Sequence, residues 1–199
     1  YTYDRVYYLV THNSRSSARS AIRDAINQGR LIVNYVGHAG TQYWAAEKLL
    51  EVAALTTLTN AGRLPFVSSM TCTDGYYIYP SPPGQNYASL AESLVGHTGG
   101  GAIASLSPTG WGLVEDHEII NRELYDAIFF DDDVLLGSAT TRAKLALAGG
   151  TGEYLIDTYL LFGDPATRLN VLPTDVGITK TVTHPTPLLS GDAITYTRS

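Results

Sequence analysis

Residues 64–75 read LPFVSSMTCTDG. The first seven are apolar or small at nearly every position, so they lack the in-out alternation of a half-exposed strand and read as a strand covered on both faces. The run stops at Cys72, the one cysteine among 199 residues, and passes into Thr-Asp-Gly, a turn signal. A thiol at the lip of a buried strand is either a small apolar filler or a working group. The rest of the chain has to decide which.

Working outward, the same alternation of apolar runs and helical periods recurs. RVYYLV (5–10), LIVNYV (31–36) and GGAIASLS (100–107) read as further strands. SSARSAIRDAINQG (16–29) reads as a helix capped by Ser17 and stopped by Gly29, and VAALTTLTNAG (52–62) as a short one. NYASLAESLVG (86–96), EDHEIINRELYDAIFF (115–130) and LLGSATTRAKLALAGG (135–150) complete the helices, with Asp164-Pro165 as a helix stop. Strands apolar on both faces and separated by helices predict an α/β fold, a three-layer α/β/α sandwich with a mainly parallel sheet. At Pro173 the composition shifts to Thr, Pro and alternating apolar residues. The expected organisation is therefore 1–173 as one unit and 174–199 as the start of an incomplete, Ig-like β-sandwich.

Composition narrows the function classes. With 44% hydrophobic and 16% charged residues and a formal charge of −6, the chain is globular and mildly acidic, which argues against nucleic acid or an anionic membrane as partner. It holds no apolar run of about 18 residues that would span a bilayer. It begins with neither methionine nor a signal segment, so the expectation is a piece of a longer precursor.

In open α/β sheets, ligands bind outside the carboxyl ends of the strands. LIVNYVGHAG delivers His38 there, LPFVSSMTC delivers Cys72, and AIASLSPTGW delivers Trp111. If the first two strands are neighbours, imidazole and thiol face each other. A thiol with a free pKa of about 8.5 is only slightly ionised at neutral pH, and a histidine within reach supplies the base. Backbone N–H groups at Ala39 and Cys72 are candidates for an oxyanion hole. His12 and His184 sit in polar loops, His97 in a Gly-rich turn and His117 on a helix face expected to be solvated. Trp44 and Trp111 fall in or after loops at the same edge, where a core role and a pocket role both stand open. Glu115 and Asp116 cap the helix after Trp111. The sequence shows no HxxxH pair, no CxxC and no aspartate loop for a metal, and Gly99–Gly101 lead into a strand rather than a phosphate-binding helix.

NYVGHAGTQYW (34–44), LTNAGRLPFVSSMTCTDGYY (58–77), LAESLVG (90–96) with GGAIASLSPTGWG (100–112), and LIDTYLLFGDP (155–165) occur in the order and spacing of the gingipains. Over residues 18–172 the chain resembles that family of cysteine peptidases, peptidase family C25 of the caspase-like clan CD fold, in the C-terminal half of its catalytic domain. The resemblance implies His38 as the catalytic histidine, Cys72 as the nucleophile and Trp111 as a wall of the primary specificity pocket; Trp44 matches a family tryptophan after the histidine. DVGITKTVTHPTPLLSGDAITYT resembles the start of the bacterial surface repeat DUF11.

Together these resemblances imply an exported or cell-surface bacterial cysteine endopeptidase acting on protein or peptide substrates, with further domains in the same precursor. Sortase-like or signal-removing transpeptidation, or an inactive surface module, are the alternatives. No cofactor is implied; structural calcium is allowed by the resemblance, without a ligand set in the sequence. Ala39 stands where relatives usually have glycine. The acidic partner of the histidine and the pocket aspartate of arginine-specific members are expected before residue 1, Asp4 lying too near the start to match, so a preference at P1 does not carry over.

Overall fold

A computed structural model describes residues 3–80 and 87–171, together with the backbone of two short strands near the C-terminus. Helix α1 (Arg15–Gln28) is capped by Ser14 rather than Ser17: the Ser14 hydroxyl accepts the Ser17 N–H at 3.1 Å. Gly29 closes it at φ +84°, a left-handed conformation that glycine adopts without a Cβ penalty.

Strand β1 (Ile32–Val36) leads into a three-stranded hairpin sheet of β2 (Ala39–Gly40), β3 (Tyr43–Trp44) and β4 (Leu50–Glu51). The expected helix over 52–62 is a 3₁₀ turn, Val52–Thr57. Its threonines bond back to backbone, Thr57 to the Ala54 carbonyl at 2.7 Å, which competes with helical hydrogen bonding. Strand β5 (Phe66–Met70) follows, then α2 (Leu90–Gly96), which begins at Ser89 because Ser89 and Glu92 form a capping box.

Strand β6 (Ala104–Pro108) precedes α3 (Val114–Phe129) and α4 (Leu136–Leu145). Last come the single turn α5 (Leu155–Thr158) and β7 (Tyr159–Phe162). Asp164-Pro165 thus ends a strand, not a helix; Asp164 Oδ1 accepts the Ala166 N–H at 2.8 Å.

The main sheet runs β1-β5-β6-β7, parallel except for β7. Every residue of β5 and β6 is buried, as two-sided coverage requires. On one face Phe66, Met70, Ala104 and Leu106 pack on Ile120, Leu124 and Ile128 of α3 and Leu136 of α4. On the other, Val67 packs with Ile26 of α1, Trp44, Leu50, and Leu90 and Leu94 of α2. The three-layer α/β/α expectation holds.

RVYYLV is not a strand. Its backbone turns on itself, the N–H groups of Val10, Thr11 and His12 all converging on the Tyr7 carbonyl, with Leu9 at φ +63°. The expected break near 173–175 and the β-sandwich character of 174–199 lie outside the described residues, apart from Thr181–Thr183 pairing antiparallel with Thr195–Thr197.

Candidate active site

The register of β1 on β5 decides the site. Val36 lies opposite Met70, so His38 and Cys72 each emerge two residues beyond a matched pair of parallel neighbours. Adjacent strands run about 4.8 Å apart, so the two residues follow neighbouring strand ends. The Gly37 N–H donates to the Met70 carbonyl at 3.2 Å and extends the pairing past the last strand residue. His38, Ala39, Cys72 and Trp111 all line one cleft of about 540 Å³.

His38 is held by its backbone and has an exposed side chain. Its carbonyl accepts the Tyr35 hydroxyl at 2.6 Å and the Ala45 N–H at 2.7 Å. Among the described residues no carboxylate hydrogen-bonds to its imidazole. Cys72 is half-buried, its Sγ 3.9 Å from the Gly112 carbonyl. The turn after it is strained: Thr73, β-branched, sits at φ +55°, held by its N–H to the Gly110 carbonyl at 3.0 Å. Gly75 then passes so close to Ser107 and Phe162 that a Cβ would lie 2.8 Å from the Phe162 ring.

The two tryptophans part company. Trp111 is 82% exposed at the rim of the cleft. Trp44 is 1% exposed and lies off this cleft, its Nε1–H donating to Asp74 Oδ2 at 2.9 Å. A direct substrate contact by Trp44 is therefore corrected to a buried, supporting position. A tryptophan spaced six residues from a histidine carries no sign of which side of a hairpin it faces.

His117 also departs from expectation: it is buried and lines the cleft. Its Nδ1 is 2.6 Å from the Tyr159 hydroxyl, which also lies 3.1 Å from the Ser69 carbonyl. Nε2 lies against Gly112 without a well-aligned partner. Burial lowers the His117 pKa, against smaller opposing pulls from the Gly112 backbone and Asp116, and favours the neutral ring. Asp116, buried in the first turn of α3, accepts the Tyr154 hydroxyl at 3.2 Å, while Glu118 and Asn121 reach the cleft from the following turn. The period of α3 puts 117, 120, 121 and 124 on its inner side, a signal that was present in the sequence.

In the sequence Asp74 reads only as part of a turn signal. It is fully buried, and desolvation raises its pKa from 3.8 to about 7 against the pull of the Trp44 indole and the Ser69 and Ser107 hydroxyls. Its Oδ1 has no well-formed hydrogen bond. Ser69 of FVSSM and Ser107 of ASLSP stand by this carboxylate, and Ser107 bonds Ser105 at 2.9 Å.

No group of three or more His, Cys, Asp or Glu positioned for a metal occurs among the described residues. No helix among them is long and apolar enough to cross a membrane.

Residues 1–170 match the sequence model of the family described as peptidase family C25. The chain belongs to peptidase family C25. Gingipain R2 of Porphyromonas gingivalis is 27% identical over 164 residues, covering 79% of this chain and 22% of that protein. Gingipain R1 of the same species is 27% identical over the same length, 16% of its own chain. Among solved structures, the Arg-specific cysteine proteinase gingipain R superposes with a TM-score of 0.67 at 24% identity, covering 84% of this chain and 39% of that one. A structure described as a protease does so at 0.64 and 19% identity, covering 87% and 43%. The chain thus spans less than half of each of these C25 and structural relatives, and the solved structures support the fold.

Proposed function

We propose that this chain carries the nucleophile and the general base of a cysteine endopeptidase. The observation that carries the reading is the strand register, which brings His38 and Cys72 to one open cleft within a family C25 chain. The Cys72 thiol gives its proton to the His38 imidazole and its sulfur attacks the scissile carbonyl. The Ala39 and Cys72 N–H groups receive the developing oxyanion. The C–N bond breaks, His38 returns the proton to the leaving amine, and a thioester remains. Water, deprotonated by His38, hydrolyses the thioester and restores the thiol. Trp111 forms an exposed wall against which a substrate side chain lies.

The substrates are proteins or peptides, and the setting is outside the cell or on its surface, as the gingipain relationship favours. The peptidase unit ends near residue 173, with a DUF11-type segment and further domains of the same precursor beyond it. A peptidyl acyloxymethyl ketone tests the reading: the folded protein should gain one adduct on Cys72, and His38→Ala should slow that reaction. Hydrolysis of a peptidyl amide that survives intact in Cys72→Ala would overturn it.

A further inference from the structure

We propose that Asp74 is a positioning residue for this chemistry: its buried carboxylate holds the Trp44 indole and thereby fixes the hairpin that carries His38 against the turn that carries Cys72. The inference rests on the peptidase reading of those two residues.

Two routes run from the carboxylate to His38. Trp44 pairs through its backbone with Ala39, the next residue after His38. Its ring also stacks on Tyr35, with centroids 4.3 Å apart and planes 6° from parallel, and the Tyr35 hydroxyl donates to the His38 carbonyl at 2.6 Å. The His38 carbonyl and the residue that follows it are thus both tied to one indole.

On the cysteine side, Asp74 lies two residues past Cys72. Its carbonyl accepts the Ala91 N–H of α2 at 3.0 Å, and its neighbours Thr73 and Gly75 donate to the carbonyls of Gly110 and Pro108, each at 3.0 Å. The Cys72 turn is therefore anchored to α2, to the last residue of β6 and to the loop after it, and the Asp74–Trp44 bond links it by side chains to the hairpin.

An amide would satisfy the indole without burying a charge, so a purely structural role does not call for a carboxylate. A carboxylate makes the shorter, stronger, charge-assisted bond. Around it stand Tyr35 of β1, Trp44 of β3, Ser69 of β5, Ser107 of β6 and Tyr159 of β7, with Glu47 beyond Tyr35. Burial, and then the charge of Asp74, push both tyrosines upward, so they stay neutral through the working range. Asp74 is the member of this cluster whose charge changes near pH 7. Its ionisation tightens the hold on Trp44.

The test uses the full chain and the best-cleaved member of a peptidyl-aminocoumarin panel, with Asp74→Asn, Asp74→Val, Trp44→Phe and Cys72→Ala. Loss of one charge-assisted bond should lower kcat in Asp74→Val and Trp44→Phe by about tenfold with KM within about twofold. The ratio of parental to Asp74→Asn kcat should rise from about one at a pH near 5.5 to about tenfold near 8.5, because the amide still accepts the indole N–H but never gains charge. In a Trp111→Phe background, Trp44 fluorescence should titrate around the Asp74 midpoint of about 7, and Asp74→Asn should abolish that titration.

Parental kcat in both Trp44→Phe and Asp74→Asn at every pH, or an unaltered fluorescence titration in Asp74→Asn, overturns the proposal. If Asp74→Val does not melt cooperatively, the other two variants decide. Turnover that survives Cys72→Ala sinks the peptidase reading instead, while the fluorescence result judges the Asp74–Trp44 link without reference to turnover.

Discussion

Val36 lies opposite Met70 in the parallel pair formed by β1 and β5, and this single register brings His38 and Cys72 out of the sheet together. A slip of one residue would turn one of the two side chains to the opposite face, since strand side chains alternate.

The two side chains proposed to do the chemistry contribute little to folding. His38 is exposed and Cys72 half-buried, so His38→Ala and Cys72→Ala should each change stability by less than about 1 kcal/mol. Turnover should fall by on the order of 10³ or more in Cys72→Ala, which removes the proposed nucleophile. Chemical denaturation alongside peptide hydrolysis checks both, and a large loss of stability would show that these residues serve the core.

The two tryptophans should respond oppositely. Trp44 is buried in the core between Tyr35 and Asp74, so Trp44→Ala should cost about 3–5 kcal/mol. Trp111 is 82% exposed, so Trp111→Ala should stay within about 0.5 kcal/mol of the parent while raising KM. Equal stability losses in urea melts would contradict the placement of either ring.

Thr73 holds a left-handed backbone against its β-branched side chain. Thr73→Gly should relieve a cost of about 1–2 kcal/mol and lose about 0.5–1 kcal/mol to chain entropy, for a small net gain in stability. The same change loosens the Cys72 turn and should lower kcat. A clear destabilisation in denaturant would mean that the Thr73 side chain makes a contact worth more than the strain.

Gly75 has no room for a methyl group beside Phe162 and the Ser107 backbone. Gly75→Ala should destabilise by about 1–3 kcal/mol through overpacking. It should also slow alkylation of Cys72 relative to a small thiol, because the displaced turn is the one that presents the sulfur. Unchanged melting and labelling would show that the contact yields without consequence.

Asp74 gives stability a pH dependence of known sign. Its folded pKa of about 7 exceeds its ordinary value of 3.8, so the folded state binds this proton more tightly than the unfolded chain. Its contribution is full below pH 3.8, declines as pH rises to about 7, and is then constant. The total is on the order of 4 kcal/mol. Asp74→Asn should flatten that part of the stability profile, and a parental profile in the variant would remove Asp74 as its source.

Much of this protein was legible in sequence because hydrophobic runs report what they bury in. FVSSM and ASLSP, closed on both faces, dictated a parallel sheet under helices, and the residues that end such strands pointed to His38, Cys72 and Trp111. Strands of two residues have no period to read, so the hairpin that follows His38 stayed hidden, as did β7 behind the single turn α5. RVYYLV has the composition of a strand, yet a strand needs a neighbour's backbone, and here the Tyr7 carbonyl collects the hydrogen bonds instead.

The chain's order of residues set which groups reach the cleft edge; only folding set how they are supported. Trp44 and Asp74 are 30 positions apart and meet at 2.9 Å, and His117 meets Tyr159 across 42 positions at 2.6 Å. Local patterns encode which face of an element is apolar, but a buried polar pair exists through the approach of two distant elements. Desolvation, which moves Asp74 and His117 in opposite directions, arises only when those elements close.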